Sequence, residues 1–284
     1  MISSDPKVQL FGSAIGTDPG RGRLAGHTVL VLGAGQRDTP AGDPVVGNGR
    51  AMCLLFGREG ASVACADKDA ASAEETARLV RAEGGHAVAI TADAGDPDFA
   101  RALFAEAAEQ LGTLTAAVAN VGISNGRSLR NESAATWNEV MDVNVRAHML
   151  LVQQGLAVLA DGGAMLLISS LASVSPAGRN PAYETSKAAL AALCRAGALE
   201  GQERGIRVNT IAPGLLDTPM GRAASARSPG RTARPLPFRR QGTAWELAYT
   251  ALFLICPESS YVNAQTLFMD GGLGSGVGLA PREQ

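Results

Sequence analysis

Residues 28–36 read TVLVLGAGQ, and residues 47–50 read GNGR, with ten residues between the two stretches. The first stretch begins as a short apolar run, which predicts a buried β-strand, and it ends in a glycine-rich turn. A helical pattern follows the second stretch, over residues 49–59. A glycine-rich turn between a strand and a helix lets the backbone approach a pyrophosphate, and the helix N-terminus adds partial positive charge. This stretch therefore predicts the start of a dinucleotide-binding α/β fold.

The rest of the chain continues this alternation of strands and helices. Further apolar runs predict strands at residues 61–66, 86–90, 114–119, 164–168, 207–211 and 266–269. Further helical patterns occupy residues 69–84, 96–111, 136–159, 181–204 and 243–255, and the pairs Thr136/Glu139 and Thr243/Glu246 predict capping boxes. Continuously apolar strands are typical of a parallel sheet that is covered on both faces. We predict one doubly wound Rossmann-type α/β domain over residues 24–284, with a seven-stranded parallel sheet and helices on both faces.

Composition excludes several classes of function. The chain has 284 residues and a net charge of −2, so no bulk attraction to nucleic acid or to an anionic membrane is expected. No apolar run approaches the ~20 residues of a membrane span. Residues 1–23 do not resemble a secretory signal, and we expect them to form a poorly packed N-terminal extension. Nucleic acid and membranes are therefore not expected partners, and the expected location is the cytoplasm.

The cysteines and histidines give no sign of a metal site. Each cysteine sits in an apolar run, which predicts buried inert thiols and fits a reducing cytosol. The four cysteines are Cys53, Cys65, Cys194 and Cys256. The three histidines, His27, His86 and His148, are scattered along the sequence, so neither a metal site nor a Ser-His pair is predicted.

Tyr183 and Lys187 are four residues apart, and Ser170 lies thirteen residues before the tyrosine. Residues four apart on a helix share one face, so a phenol and an ammonium would point into the same space. A nearby cation favours the phenolate, and such a tyrosine could exchange a proton with a substrate hydroxyl or carbonyl. Ser170 could hydrogen-bond the same oxygen. Exposed Tyr and Lys residues are also common at this spacing, so the pair alone leaves both interpretations open.

Asp67 ends the second predicted strand, at the position where a carboxylate can accept hydrogen bonds from both ribose hydroxyls of NAD. The same carboxylate would repel the 2′-phosphate of NADP. Lys68 stands next to it and leaves some room for NADP. NAD is therefore the expected cofactor, with NADP as the alternative.

Together these residues resemble the short-chain dehydrogenase/reductase family over residues 24–273. The resemblance implies four catalytic residues, Asn144, Ser170, Tyr183 and Lys187. It also implies a set of cofactor-binding residues: Gly33, Gln36, Gly47, Asn48, Gly49, Asp67, Asp93, Ala94, Asn120, Gly122, Tyr183, Lys187, Pro213, Gly214 and Thr218. Asp270-Gly271-Gly272 matches the family's C-terminal signature, whereas Leu32 replaces its usual threonine.

The resemblance further implies a role for each catalytic position. Tyr183 would be the general acid/base, and Lys187 would lower its pKa and bind the nicotinamide ribose. Ser170 would hold the substrate oxygen, and Asn144 would bind a backbone-linked water that relays protons to Lys187. Thr218 would hold the nicotinamide carboxamide. Ser169 does not meet the family spacing to the tyrosine, and we expect it to be structural.

Two segments have roles that the sequence leaves open. Residues 37–46, here called the insertion, split the glycine motif, and the sequence leaves open whether they fold over the pyrophosphate or bulge into solvent. Residues 217–241, here called the lid segment, are predicted to be a long loop over the substrate or a solvated charged loop. The lid segment has arginines at positions 222, 227, 231, 234, 239 and 240, which raises the possibility of an anionic substrate.

The resemblance implies an NAD(H)-dependent oxidoreductase that acts on a secondary alcohol or its ketone. It also implies a homo-oligomer, a dimer or tetramer that pairs through the helices at 136–159 and 181–204. A non-catalytic dinucleotide-binding or scaffold protein on the same fold is the alternative from a different class, because fold alone does not fix function. Dinucleotide binding without turnover of any alcohol would favour that alternative. An NADP-dependent reductase is the third interpretation.

Overall fold

Seven parallel strands form the central sheet of the computed structural model, which confirms the predicted fold. The structure describes residues 5, 7–40, 43, 45–175, 180–227, 230 and 235–277. The strands of the main sheet are β1 (Thr28–Leu32), β2 (Ser62–Asp67), β3 (His86–Thr91), β4 (Ala116–Ala119), β5 (Ala164–Ile168), β6 (Arg207–Pro213) and β9 (Thr266–Met269). Their order is β3-β2-β1-β4-β5-β6-β9. Two short strands, β7 (Leu216–Asp217) and β8 (Gly242–Thr243), pair separately.

The order of the strands reverses at β1, which determines where a ligand can bind. Leu32, the last residue of β1, lies opposite Ala66 on β2 and opposite Ala119 on β4. The chain proceeds outward from β1 in both directions, so a crevice opens at the carboxyl ends of β1 and β4. Ligands of open α/β sheets bind in such a crevice.

Helices cover both faces of the sheet. They are α1 (Asn48–Arg58), α2 (Ala70–Ala82), α3 (Phe99–Leu111), α4 (Ala134–Met141), α5 (Ala147–Val158), α6 (Pro181–Glu200), α7 (Pro219–Arg227) and α8 (Ala244–Ile255). Val31 packs with α1, α2 and α8 in one buried cluster, whereas its neighbour Leu32 packs with α3, α5 and α6 in the other. Successive side chains of a strand point to opposite faces, so the continuously apolar strands supply both cores.

The helix predicted over residues 136–159 is wrong in its start and in its continuity. Ser133 caps α4, since its Oγ accepts from the Thr136 amide at 3.2 Å, and Thr136 takes the third position of the box. Glu139 has no part in it. A π-helical turn, Asp142–Arg146, then separates α4 from α5. The second predicted capping box is confirmed, because Thr243 Oγ1 accepts from the Glu246 amide at 3.1 Å.

The start predicted for α3 is also wrong, and here a turn takes the place of the first helical residues. Asp96 Oδ1 accepts from the Asp98 amide at 2.9 Å, and the helix begins only at Phe99.

The N-terminal extension packs against the domain, so the expectation of a poorly packed extension is wrong for its described residues. Thr243 Oγ1 donates to the Ala14 carbonyl at 2.6 Å. Arg58 of α1 donates to the Gly16 carbonyl at 2.6 Å and stacks 4.7 Å from the centre of the Trp245 ring. Trp245 in turn packs on Gly16, where a side chain would collide with the ring. These contacts hold the extension against α1 and α8.

The four cysteines are free and buried, as predicted. The fold places two of them on neighbouring elements, Cys53 on α1 and Cys65 on β2, in one buried cluster. Burial raises the pKa of the Cys53 thiol well above its ordinary value. None of the helices in the described residues has the length and apolar character that crossing a membrane requires.

Candidate active site

A cavity of about 640 Å³ opens at the carboxyl ends of β1 and β4. Fourteen of the predicted site residues line it: Gly33, Gln36, Gly47, Asn48, Gly49, Asp67, Asp93, Ala94, Asn120, Gly122, Tyr183, Lys187, Pro213 and Thr218. The other three predicted residues, Asn144, Ser170 and Gly214, lie next to lining residues in the chain or in space. One cavity therefore joins the glycine-rich turn to the Tyr183/Lys187 pair.

The glycine-rich turn forms a bare backbone surface at one end of the cavity. Gly33 has a φ of +83°, in the left-handed region that favours glycine. Its carbonyl accepts from Asn120 Nδ2 at 2.7 Å. A Cβ on Gly49 would lie 1.9 Å from the same Gly33 carbonyl oxygen. Only glycine at position 49 therefore leaves this cradle open, as close approach of a pyrophosphate to the backbone requires.

The two ends of the insertion are held together, so the glycine motif keeps a closed turn despite the ten additional residues. Gln36 Oε1 accepts from the Gly47 amide at 3.0 Å. The Gln36 amide donates to Ser72 Oγ of α2 at 2.9 Å. Between these ends, Arg37 and Asp38 are exposed and also line the cavity, so this part of the insertion borders the cavity at its solvent side.

Asn48 places a buried amide oxygen at the glycine-rich end of the cavity. It is the first residue of α1, and its Oδ1 is buried without a hydrogen-bond partner among the described residues. Buried polar atoms are nearly always satisfied, so an orphaned acceptor in a cavity lining suits a bound donor. The open glycine cradle and this acceptor both fit a dinucleotide.

Asp67 is held in a fixed orientation at the end of β2. Its Oδ2 accepts from the Gly35 amide at 2.9 Å, and its Oδ1 accepts from the Asp69 amide at 3.1 Å. Each carboxylate oxygen keeps further acceptor capacity. Lys68 and Asp69 line the cavity beside it. The carboxylate therefore orients the glycine-rich turn and can also accept hydrogen bonds from a ligand at this end of the cavity.

Tyr183 and Lys187 lie one turn apart on α6 and both line the cavity. The Lys187 side chain is buried, and its Nζ donates to the Ile168 carbonyl at 2.8 Å. Nζ lies 5.8 Å from the centre of the Tyr183 ring. Burial disfavours the charged form and lowers the pKa of Lys187 to about 7. The exposed-surface interpretation of this pair is therefore excluded, and the pKa of the lysine lies near neutral pH.

Asn144 owes its position to the π-helical turn between α4 and α5, which turns its side chain into the interior. Its Oδ1 accepts from the Ile123 amide at 2.8 Å, and its Nδ2 donates to the Ile123 carbonyl at 2.9 Å. Nδ2 also donates to Ser186 Oγ at 2.9 Å, and Ser186 donates to the Tyr183 carbonyl at 2.7 Å. One amide side chain thus links the cavity wall at Ile123 to the helix that carries Tyr183.

The two serines after β5 have different surroundings. Ser169 is buried and its Oγ donates to the Lys187 carbonyl at 2.7 Å, which makes it structural, as expected. Ser170 is partly exposed, and its Oγ accepts from the Ala172 amide at 3.2 Å. On the other side of the cavity, Thr218 accepts from the Gly221 amide at 3.0 Å and thereby caps α7.

The described part of the lid segment is more ordered than the predicted loop, since it contains α7 and a 3₁₀ turn at Pro237–Arg239. Two of its arginines are already engaged. Arg240 forms an ion pair with Glu246 at 2.6 Å and donates to the Val8 carbonyl of the extension at 2.8 Å. Arg222 pairs with Asp217 at 2.6 Å and with Asp43 of the insertion at 2.6 Å. These two ion pairs leave Arg222 and Arg240 less available to an anionic substrate, and Arg231 and Arg234 lie outside the described residues.

Several cavity residues were missed by sequence reasoning. Ser72, Ile123, Val143 and Met220 line the cavity, and no motif marks any of them. His148, which the sequence left as one of three scattered histidines, is fully buried close to Lys187. Burial, together with the lysine charge, holds the pKa of His148 well below its ordinary value, so the imidazole is neutral.

The sequence profile of the family described as Enoyl-(Acyl carrier protein) reductase matches residues 46–274. Its match begins at the last residue of the insertion. Among curated proteins, the chain is 32% identical over 257 residues to the 2,5-dichloro-2,5-cyclohexadiene-1,4-diol dehydrogenase of Sphingobium indicum, covering 90% of this chain and 99% of that protein.

Solved structures give the same result. A short-chain dehydrogenase/reductase from Burkholderia xenovorans superposes with a TM-score of 0.81 at 31% identity, covering 90% of this chain and 99% of that one. A blue fluorescent protein from a metagenomic library, in complex with NADPH, superposes with a TM-score of 0.79 at 31% identity, covering 88% and 98% of the two chains. The chain belongs to the short-chain dehydrogenase/reductase family.

Proposed function

We propose that this protein is an NAD(H)-dependent oxidoreductase that interconverts a secondary alcohol and its ketone. The observation that carries the proposal is that Tyr183 and Lys187 share one cavity with the glycine cradle and Asp67. A proton-transfer pair and a dinucleotide site in one cavity are what hydride transfer to or from a carbinol carbon needs. The Sphingobium relative is named as a diol dehydrogenase, which supports a CH–OH substrate.

In this proposal the chain's own residues bind, orient and move a proton. A bound nicotinamide would accept or supply the hydride. Tyr183 exchanges the proton with the substrate oxygen as general acid/base. Positive charge on Lys187 favours the phenolate form of that tyrosine. Because the pKa of Lys187 is about 7, the lysine can pass a proton onward at neutral pH.

The neighbouring polar side chains hold this pair and the substrate in place. Ser170 donates to the substrate oxygen, since it follows β5 next to Ser169 of the cavity wall, and its Oγ keeps a donor proton while it accepts from the Ala172 amide. Asn144 fixes the Ile123 backbone and, through Ser186, the start of α6. Side chains that already occupy their reactive positions raise the rate of the chemical step, because the site needs little reorganisation in the transition state.

The dinucleotide would be held by both ends of the cavity. Gly33, Gly47 and Gly49 give the pyrophosphate access to the backbone and to the N-terminus of α1. Thr218 and Pro213 line the opposite end, where the resemblance places the nicotinamide. Asp67 supports NAD over NADP, because its carboxylate would meet a 2′-phosphate with like charge. Lys68 beside it, and the NADPH in one structural neighbour, keep NADP as the alternative cofactor.

The proposal includes a homo-oligomer in the cytoplasm. Met149 and Val158 on α5 and Leu199 on α6 are exposed large apolar side chains, and Leu199 is 70% exposed. Such residues on two adjacent helices suit a two-fold interface between copies. Four free buried thiols suit a reducing compartment. Light scattering at micromolar concentration tests the assembly, and a monomer would contradict it.

The experiment that tests the function combines binding with turnover. NADH and NADPH binding to the purified protein are measured by fluorescence, and oxidation of a panel of cyclic and linear secondary alcohols is followed with NAD and NADP. The proposal expects NADH binding and NAD-dependent oxidation of at least one secondary alcohol. NADH binding without turnover of any alcohol or ketone would favour the non-catalytic alternative.

A further inference from the structure

The insertion and α7 of the lid segment are in direct contact beside the cavity. Arg222 Nη1 of α7 donates to Asp43 Oδ2 at 2.6 Å, although the two residues are 179 positions apart in the chain. The Asp43 side chain is only 15% exposed, so it does not extend into open solvent. Its Oδ1 accepts from the Val45 amide at 3.0 Å, and its own amide donates to the Pro40 carbonyl at 3.0 Å. Hydrogen bonds within the insertion therefore orient the Asp43 carboxylate independently of its contact with Arg222.

The guanidinium is oriented as well. Arg222 Nε and Nη2 donate to the two oxygens of Asp217 at 2.6 and 2.9 Å. Its backbone amide donates to the Thr218 carbonyl at 2.8 Å, in the first turn of α7. Thr218 lines the cavity, so Arg222 and Thr218 move together when α7 moves. The Arg222 guanidinium, which is bound to Asp43 and Asp217, thus joins the insertion to α7, the helix on the far side of the cavity.

Residues on both sides of this contact line the same cavity. Arg37 and Asp38 of the insertion line one side, and Thr218, Pro219 and Met220 line the other. The side of the insertion lies next to the glycine cradle, where the pyrophosphate would be. The side of α7 lies at the end with Pro213, where the nicotinamide would be. The ion pair joins the two segments that carry these lining residues, although Asp43 and Arg222 do not line the cavity themselves.

We propose that the Asp43–Arg222 ion pair is a positioning contact that retains the bound dinucleotide, by holding the insertion and α7 closed over the cavity together. The inference rests on the dinucleotide-binding function proposed above. Release of NAD(H) then requires the ion pair to open, so cofactor exchange is coupled to movement of α7. Neither residue touches the reacting atoms.

The test measures the rate at which NADH leaves the protein. The complex with NADH is mixed in a stopped-flow instrument with excess ADP-ribose, and the loss of bound-NADH fluorescence gives the off-rate. The variants are Asp43→Asn, Arg222→Gln and the double variant. Arg227→Gln is the matched control, because it removes one exposed arginine charge from the last turn of the same helix. Asp43→Glu tests rescue by a conserved charge.

Retention by the ion pair predicts that each single variant raises the off-rate about two- to fivefold, the range expected for a partly exposed pair. The double variant should be no faster than the faster single variant, because both changes break one contact. Arg227→Gln should match the wild type, and Asp43→Glu should fall between wild type and Asp43→Asn. Added salt should raise the off-rate of the wild type more than that of the double variant.

Two results would overturn the inference while leaving the proposed function intact: NADH binding with unchanged off-rates in both single variants, or single effects that multiply in the double variant. Multiplying effects would mean that the insertion and α7 act on the cofactor independently. A wild-type protein that binds no NADH at all would instead overturn the proposed function.

Discussion

The Lys187 ammonium donates to the Ile168 carbonyl at 2.8 Å while its side chain is buried beside Tyr183. A single carbonyl oxygen does not replace the hydration of a charged amine, which is why burial lowers the pKa of Lys187 to about 7. The same burial that makes the lysine a proton exchanger therefore costs stability whenever the lysine is charged. Activity and stability are opposed at this one residue.

Replacing Lys187 with methionine should stabilise the fold and abolish most of the activity. Between about pH 7 and about pH 10 the unfolded chain binds a proton that the folded chain lacks, so wild-type stability rises with pH across that window. Lys187→Met lacks this pH dependence. The variant's advantage in unfolding free energy should be largest near pH 6 and shrink towards pH 10, and urea unfolding at several pH values measures it.

Lys68→Met is the control, since it removes an exposed lysine and should leave the pH dependence of the wild type in place. A stability difference between wild type and Lys187→Met that stays constant from pH 6 to pH 10 would show that the folded lysine titrates normally.

Tyr183→Phe keeps the aromatic ring and removes the transferable proton. Turnover should fall by ~10² or more, as expected for the loss of a general acid/base, whereas NADH affinity should change little. Steady-state kinetics and fluorescence titration measure the two quantities. Tyr261→Phe is the matched control, because Tyr261 is fully exposed. Near-normal turnover in Tyr183→Phe would remove this tyrosine from the mechanism.

The features that could be predicted from the sequence depend on short segments. The bounds of β5 and β9 are those that the apolar runs predicted, and the Thr243/Glu246 box was readable because both partners lie within one turn. Tyr183 and Lys187 reach one cavity because a helix fixes their spacing. The fold class follows from the alternation of short strand and helix patterns along the sequence.

The features that could not be predicted depend on contacts between distant segments. The Asp43–Arg222 pair joins residues 179 positions apart, and no local pattern selects it from the other acid–base pairs. The π-helical turn holds Asn144 where its side chain hydrogen-bonds Ile123 and Ser186, and these partners are 21 and 42 positions away in the chain. The extension was misjudged because its polar, glycine-rich sequence gives no sign that Trp245 and Arg58 hold it.

Asp67→Asn should relax the choice of cofactor without opening the glycine-rich turn. The asparagine oxygen can still accept from the Gly35 amide, as Asp67 Oδ2 does at 2.9 Å, but the charge that repels a 2′-phosphate is gone. The ratio of kcat/KM for NAD to that for NADP should fall by about tenfold, the equivalent of one pKa unit of charge interaction. Steady-state kinetics with both cofactors measure it.

Asp69→Asn neutralises the neighbouring helix cap, whose side chain accepts from the Ser72 amide at 3.1 Å, and serves as the control. It should leave the cofactor ratio near that of the wild type. A wild-type protein that already prefers NADP would contradict the role assigned to Asp67.

Gly49→Ala tests the glycine cradle against helix propensity. Gly49 is the second residue of α1, where alanine is the better helix former by about 1 kcal/mol. The added Cβ, however, would lie 1.9 Å from the Gly33 carbonyl oxygen and 2.9 Å from Asn120 Nδ2. Backbone cannot yield as a flexible side chain does, so β1 and α1 must separate at the turn. The variant should lose about 1–3 kcal/mol of unfolding free energy, as overpacked cores do.

The same displacement should weaken NADH binding by at least about tenfold, because the cradle that admits the pyrophosphate is filled. Gly230→Ala is the matched control, since a Cβ there meets no atom within 4 Å among the described residues. Urea unfolding and NADH titration of both variants measure the two effects. If Gly49→Ala were as stable as the wild type, the gain in helix propensity would have offset the steric clash with the Gly33 carbonyl. If it then also bound NADH normally, the pyrophosphate would have to lie elsewhere in the cavity.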